Sequence, residues 1–482
     1  MSTLLTLVIL YLLVSVAIGL WAARRVHNSR DYVVAGRGLP LYINAATVFA
    51  TWFGAETVLS VSATFTKDGL GGIVADPFGA SFCLVFVALF FARAFYRMDL
   101  LTIGDFYRKR YGRPVEVLTS LAITASYLGW TSAQLTALGL AISVLSQGAV
   151  SLNEGIVLGL VVVLAYTVWG GMWSVAVTDL FQSVVIIAGL SAIAWLVSDM
   201  AGGAGRVVAA AAEAGKFEFW PKGGTKEWLA FAAAWLTLAL GSIPQQDVFQ
   251  RVMSAKNIEA ATRGPVIGGA CYFIFAFVPM FLVTSALLIM PEAGQLLRED
   301  PQKVLPTLVM AHMPFILQVL FFGALLSALK STASATLLAP SVTFVESIWR
   351  QFQPHLSDRA RLTTMRIAVL GFATIVCGWA IGSQGTPIYD MVAASYQLPL
   401  VGAFVPLVAG LYWERATTQG AVFSVVMGIV GYLAFHSTPA GAAFPAELAG
   451  LLMSGAGMLI GSLGRQAIAN RQGPHYRLAG RA

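Results

Sequence analysis

The sequence predicts an all-α polytopic membrane protein with about 13 transmembrane helices, and three observations carry that prediction. The 482 residues are 57% hydrophobic and only 11% charged, against roughly 25% charged in a soluble domain. Apolar stretches long enough to cross a bilayer, about 20 residues each, recur along the whole chain. Two of these stretches are broken in the middle by glycine, proline and polar residues, which a plain lipid anchor would not carry.

In chain order the spans are expected near 3–22, 41–66, 76–96, 115–147, 154–173, 175–198, 228–250, 264–290, 314–345, 365–383, 388–412, 418–436 and 445–464. The first has no basic residue ahead of it and no convincing cleavage site, so it is read as a retained span. Of the 30 Lys and Arg, 22 fall in alternate connections beginning with Arg24 and Arg25 and only seven on the opposite side. That bias places the N-terminus outside and the C-terminus in the cytoplasm. The expected location is a cell membrane of the bacterial inner-membrane kind. The basic tail from Arg465 is expected to touch the inner leaflet, and the stretches 199–227 and 291–313 are outer loops too short for a folded domain.

The same inventory excludes several classes. The net charge of +7 is spread over loops without basic tracts interleaved with aromatics, so no nucleic-acid partner is expected; Cys83, Cys271 and Cys377 lie singly in apolar runs. The five histidines fall at span ends or in loops, no nucleophile-and-base pair stands out, and an enzyme is not expected. A channel would need a continuous polar pore, whereas the polar residues collect at the two breaks. No obligate protein partner is evident. The partners expected are the lipid bilayer and a small organic solute.

The first break is Phe49-Ala50-Thr51-Trp52-Phe53-Gly54-Ala55, followed directly by Glu56. Irregular backbone is tolerated at membrane depth only inside protein or along a wet cavity, and an ionisable residue there points to a site; a Glu bonded to a neighbouring helix is the plain alternative. The second break is Gly241-Ser242-Ile243-Pro244-Gln245-Gln246-Asp247, five spans later. Broken helices in matching positions of two halves point to an inverted-repeat transporter with a site at the midplane. A third feature is the face of Ala328, Ser331 and Thr332 in the ninth span. A carbonyl and two hydroxyls are hard, neutral oxygen donors suited to Na⁺, and the same small residues also suit close helix packing. Lys330 lies about 160° from that face by helical geometry. It must find a partner or lose its proton, with Glu56 and Asp179 the candidates.

These segments resemble the sodium:solute symporter family over nearly the whole chain. The residues that carry the resemblance are Asp31 to Arg37, Tyr166 to Gly171 with Thr178, Asp179 and Gln182, Asp247 to Arg251 with Ala255 and Lys256, and Ser331-Thr332. It implies a LeuT-like 5+5 inverted repeat. The first repeat would cover 41–198 and the second 228–412, with an extra helix and inner loop in 1–40, the outer loop 199–227, and two C-terminal helices with a tail in 413–482.

It also implies sodium-coupled uptake of a small organic solute by alternating access. Na⁺ would be held by the carbonyls of Ala50, Phe53 and Ala328 and the hydroxyls of Ser331 and Thr332, with no other metal. Asp179 matches a position associated with the inner sodium route. Substrate would sit near Trp52, Gly54, Glu56, Trp130, Gln245 and Gln246. The motifs look most like the choline-transporter-like branch, in which Trp52 and Trp130 match cage positions. Gln245 and Ala80 replace a tryptophan and a tyrosine of that cage, and Glu56 stands where the branch has glycine. Lys330 also departs from the family. Three roles stay open for it: a structural ion pair, a substrate-anion contact, or a change of coupling to a proton-coupled or ion-independent carrier. A transporter-like membrane sensor is the remaining alternative.

Overall fold

Hydrocarbon offers the backbone no hydrogen-bond partners, so each apolar stretch must close its own i→i−4 bonds and becomes a helix. The computed structural model describes residues 3–468 and, among them, contains helices and turns but no strand. The long elements are α1 Thr3–Ala23, α2 Leu41–Trp52, α3 Glu56–Asp68, α4 Leu70–Met98, α5 Arg113–Leu145, α6 Leu152–Met200 and α7 Thr225–Gly241. They continue as α8 Gln246–Ser254, α9 Ile258–Ile289, α10 Phe315–Gln351, α11 Asp358–Gly382, α12 Ile388–Tyr412, α13 Thr418–His436 and α14 Ala446–Leu463.

Ten of these helices are long and apolar enough to cross a membrane, and twelve spans result if α2 with α3 and α7 with α8 are each one span. The expected thirteen is reached only if α6 is divided. At about 1.5 Å per residue, its 49 residues would run more than twice the roughly 30 Å of a hydrocarbon core. It breaks at Gly171, where φ is +47° and ψ −138°, about one helical turn before the boundary at 174 that the sequence predicts. Only glycine suits that backbone, and an added Cβ would stand 2.4 Å from the carbonyl oxygen of Tyr32.

The two breaks bend their spans by 54° between α2 and α3 and by 43° between α7 and α8. At one end of the bundle, Leu39, just ahead of α2, pairs with the segment just past α8. Leu39 N–H donates to Ser254 O (3.0 Å) and Lys256 N–H to Leu39 O (2.8 Å). The same end carries an ionic clasp in which Arg30 and Arg37 meet Asp99, Arg30 at 2.6 Å, and Arg37 lies 3.8 Å over the Tyr96 ring. Partial burial raises the Asp99 carboxyl, but the bond from Arg37 and the charges of both arginines outweigh it and hold the group below its ordinary value.

Apolar side chains lie on both sides of the helices, since the lipid-facing side is as oily as the core. Trp195, Leu13 and Val161 are exposed while Ile186, Ile193 and Val163 are buried. Small residues seat α13 on α14, with Gly420, Gly457 and Gly461 against the facing helix and Ser424 Oγ 2.8 Å from Ser454 Oγ.

The segments expected as plain outer loops hold short helices, Ala204–Glu213 in the first and Ala293–Glu299 and Val304–His312 in the second. Buried Val207 and Ala211 anchor the first, and Ala293, Leu305 and Leu308 the second pair. Most of the basic tail, residues 469–482, lies outside the described residues.

Gly171→Val should cost about 1–3 kcal/mol from backbone strain alone, read as a lowered thermal midpoint of the detergent-solubilised protein; an unchanged midpoint would mean that the chain does not need the break.

Candidate functional site

Helix α2 ends at Phe53 (φ −86°, ψ 73°), and Gly54 N–H folds back to Trp52 O at 3.1 Å. The protein supplies the partners that the interrupted helix lacks. Gln134 Oε1 on α5 accepts from Ala55 N–H (2.9 Å), and its Nε2 donates to Glu56 Oε2 (2.6 Å). A Cβ at position 54 would lie 2.7 Å from Thr332 Oγ1, 2.8 Å from Glu56 Oε2 and 2.9 Å from Gln134 Oε1. Glycine is what lets three oxygens from three other positions close around the break.

On one side of Gly54 three of the five predicted sodium residues meet, Ala50, Ser331 and Thr332. Ser331 Oγ lies 3.1 Å from Ala50 O and 2.6 Å from Asp179 Oδ1. Thr332 Oγ1 is 3.0 Å from Thr51 O and 3.4 Å from Ala50 O. Thr47 donates to the other oxygen of Asp179. Ala50, Phe53, Ala328, Ser331, Thr332 and Asp179 are all fully buried. Phe53 is the first residue beyond α2, and Ala328 sits one turn before Thr332 on α10. Carbonyls, hydroxyls and one adjacent carboxylate are an oxygen set that fits Na⁺. Arg251 of α8 locks onto the same turn, with Nε 3.0 Å from Thr51 Oγ1.

On the other side a buried cluster of aromatic rings outlines a candidate chamber. Trp52 stacks on Tyr396 (centroids 6.2 Å apart, planes 10° apart) and stands 6.2 Å from Trp130 and 6.4 Å from Tyr272. Trp130 and Tyr396 are 5.4 Å apart, and Tyr127 stacks on Trp130 at 6.0 Å. Trp130 Nε1 donates to Glu56 Oε1 at 3.3 Å. Tyr272 donates its hydroxyl to Asp76 and lies 3.2 Å from Thr57 Oγ1. From the second break, Gln245 Nε2 donates to Ser126 Oγ at 3.0 Å, one helical turn before Trp130 on α5.

Two sequence expectations need correction. Gln246 is turned away from the chamber. Its Oε1 accepts from Ile103 N–H (2.8 Å) and its Nε2 donates to Leu101 O (3.4 Å), because as the first residue of α8 it faces the start of the short helix that precedes α5. Lys330 forms no direct ion pair with Glu56 or Asp179 within 4.0 Å, although the Asp179 charge still acts on it across the gap. As its helical angle predicts, it points away from Ser331 and Thr332, and its ammonium meets Ser15 Oγ on α1 and the face of Tyr166 at 5.1 Å.

The sequence reading missed Thr47, Thr51, Asp76, Tyr127, Gln134, Tyr272 and Tyr396. Gln134 was findable, being a lone amide one helical turn after Trp130, and so was Asp76, an acid beside a proline at the edge of an apolar run. Nothing in the sequence separates Tyr272 and Tyr396 from the other twelve tyrosines.

The model of the sodium:solute symporter family matches residues 32–428. The chain belongs to the sodium:solute symporter family. It is a membrane-embedded secondary active transporter for sodium-coupled uptake of a solute. Among similar proteins, the high affinity choline transporter 1 of Homo sapiens is 27% identical, covering 88% of this chain and 75% of the relative. Its Caenorhabditis elegans counterpart is 26% identical, covering 88% and 76%. A solved Na⁺-coupled sialic acid symporter in a substrate-bound outward-open state matches with TM-score 0.83 at 19% identity, covering 96% of this chain and 98% of that one. A nucleobase-cation-symport-1 family transporter matches with TM-score 0.56 at 17% identity, covering 91% and 96%. These likenesses give the LeuT-type fold.

Because Gly54 admits three oxygens that a methyl group would displace, Gly54→Ala should lower uptake by about tenfold or more, the equivalent of roughly 1.4 kcal/mol, in protein that still extracts as a monodisperse species; normal uptake would show that the three oxygens need not converge. Lys330→Met should leave the sodium dependence of uptake unchanged while lowering thermal stability, and a changed sodium requirement would make Lys330 a coupling group.

Proposed function

We propose that this transporter carries a small organic cation together with Na⁺. The observation that carries the reading is the ring chamber of Trp52, Trp130, Tyr272 and Tyr396 with the buried carboxylate of Glu56 on its wall. Aromatic faces attract an ammonium through their quadrupoles, most strongly when water is excluded. Glu56 and Asp76 have no Lys, Arg or His nitrogen within 4.0 Å among the described residues, so a cation is the complement that their charge lacks. The similarity to choline transporters supports the same class.

Sodium, on this reading, bridges the carbonyls of Ala50, Phe53 and Ala328 and the hydroxyls of Ser331 and Thr332, tying α2 to α10. Asp179 holds the Ser331 hydroxyl in place. The ion would favour the arrangement in which these two helices stay together, and substrate would bind at the two breaks before the chamber closes over it. The repeats 41–198 and 228–412 would rock about this site, with the N-terminus outside and the Leu39–Ala255 end of the bundle in the cytoplasm. The position of Lys330 against α1 argues for a structural role and against a proton-coupled carrier.

Ser331→Ala and Thr332→Ala should each raise the sodium concentration for half-maximal uptake by about tenfold, as expected for loss of one of five oxygen ligands. Sodium dependence equal to wild type would remove the site. Thermal shift of the purified protein against amines, amino acids, carboxylates and sugars, in Na⁺ and in K⁺ at equal ionic strength, tests the substrate class. An amine that stabilises in Na⁺ alone is the expected hit, and stabilisation only by an anion or a sugar would refute the cation reading.

A further inference from the structure

The ring chamber by itself would accept any ammonium, methylated or not, since a cation over an aromatic face needs no hydrogen bond. Its polar atoms are more selective. A carboxylate offers about four acceptor positions, and the two oxygens of Glu56 take one side-chain donor each, from Trp130 and Gln134. Asp76 takes the Tyr272 hydroxyl. Gln245 is 1% exposed and its Oε1 has no hydrogen-bond partner. The chamber thus has acceptors to spare and, among the described residues, no cationic side chain within 4.0 Å to meet them.

A quaternary ammonium would strip water from these acceptors and return nothing, because it has no N–H. Buried acceptors left without a donor are costly. A primary ammonium brings three donors. One buried donor also lacks a partner. Trp52 is 3% exposed and its Nε1 is unbonded, although its ring touches Trp130, Tyr272 and Tyr396. That group needs an acceptor on the ligand, such as a hydroxyl.

We propose that the chamber selects an amine that keeps its N–H donors, a primary or secondary ammonium with a hydroxyl-type acceptor nearby, over its fully methylated counterpart. Asp76 and Gln245 are then specificity-determining residues. The inference rests on the organic-cation reading above and narrows it.

The test is one homologous series in which only N-methylation changes: 2-aminoethanol and its mono-, di- and trimethylated forms, the last being choline. Each is measured for Na⁺-dependent thermal stabilisation and for uptake or competition in proteoliposomes. Affinity should fall along the series, by about tenfold or more between the ends, as for loss of one charge-assisted hydrogen bond. Affinity that is flat or rises toward choline would overturn the selectivity proposal while leaving the organic-cation reading intact. If no member of the series or of the wider amine panel binds, both fall together. Asp76→Asn and, separately, Gln245→Met should flatten the series, with the sodium-induced shift retained as the sign of a folded protein. A variant that weakens every member by the same factor would show that its residue packs the chamber without choosing between ligands.

Discussion

The structure depends on a single constraint, the cost of an interrupted helix at membrane depth. Where α2 stops at Phe53, the backbone and the Glu56 carboxylate need partners that lipid does not provide, and each unmet polar group would cost several kcal/mol. The partners come from elsewhere in the chain: Gln134 of α5 to Ala55 and Glu56, Trp130 of α5 to Glu56, Thr332 of α10 to the end of α2, and Arg251 of α8 to Thr51. The break therefore recruits α5, α8 and α10 to one point. Cradle and potential binding surface are the same atoms, and this is why the candidate site residues lie on helices far apart in sequence.

The architecture was legible because hydropathy and the breaks are local signals. Twenty apolar residues imply a helix wherever they occur, and Gly54 with Glu56, or Gly241 with Pro244, disturb that pattern visibly within a few positions. The boundary near Gly171 was legible for the same reason, and the positive φ explains why a glycine stands there. The direction of Lys330 followed from helical geometry, but its partner did not, since Ser15 on α1 is neither charged nor near in sequence. Gln246 was misplaced because it follows Gln245 directly; the turn from break to α8 sends adjacent side chains to opposite sides. Tyr272 and Tyr396 illustrate the limit. Their roles arise from where α9 and α12 cross α2, a tertiary fact that no periodicity encodes.

The position of Gly54 also bears on how an ion and a solute would influence each other. The Thr332 hydroxyl belongs to the oxygen set proposed for Na⁺, yet it faces the same point as Glu56 Oε2 and Gln134 Oε1, and the other oxygen of Glu56 accepts from Trp130 in the aromatic cluster. No chain of intermediates is needed to connect the two sites, because they share a wall one residue thick. A cation between Thr332 and the Ala50 carbonyl would fix the end of α2, and with it the orientation of Glu56 and Trp52. Conversely, an ammonium that engages Glu56 would steady the loop whose carbonyls face the ion. Such coupling must be reciprocal in free energy: whatever factor sodium adds to solute affinity, solute adds to sodium affinity. The two positive charges would still repel each other across this short distance. On the proposed reading, the acids Asp179 on the ion side and Glu56 and Asp76 on the solute side would offset that repulsion as counter-charges, letting two cations occupy one small volume of a low-dielectric core.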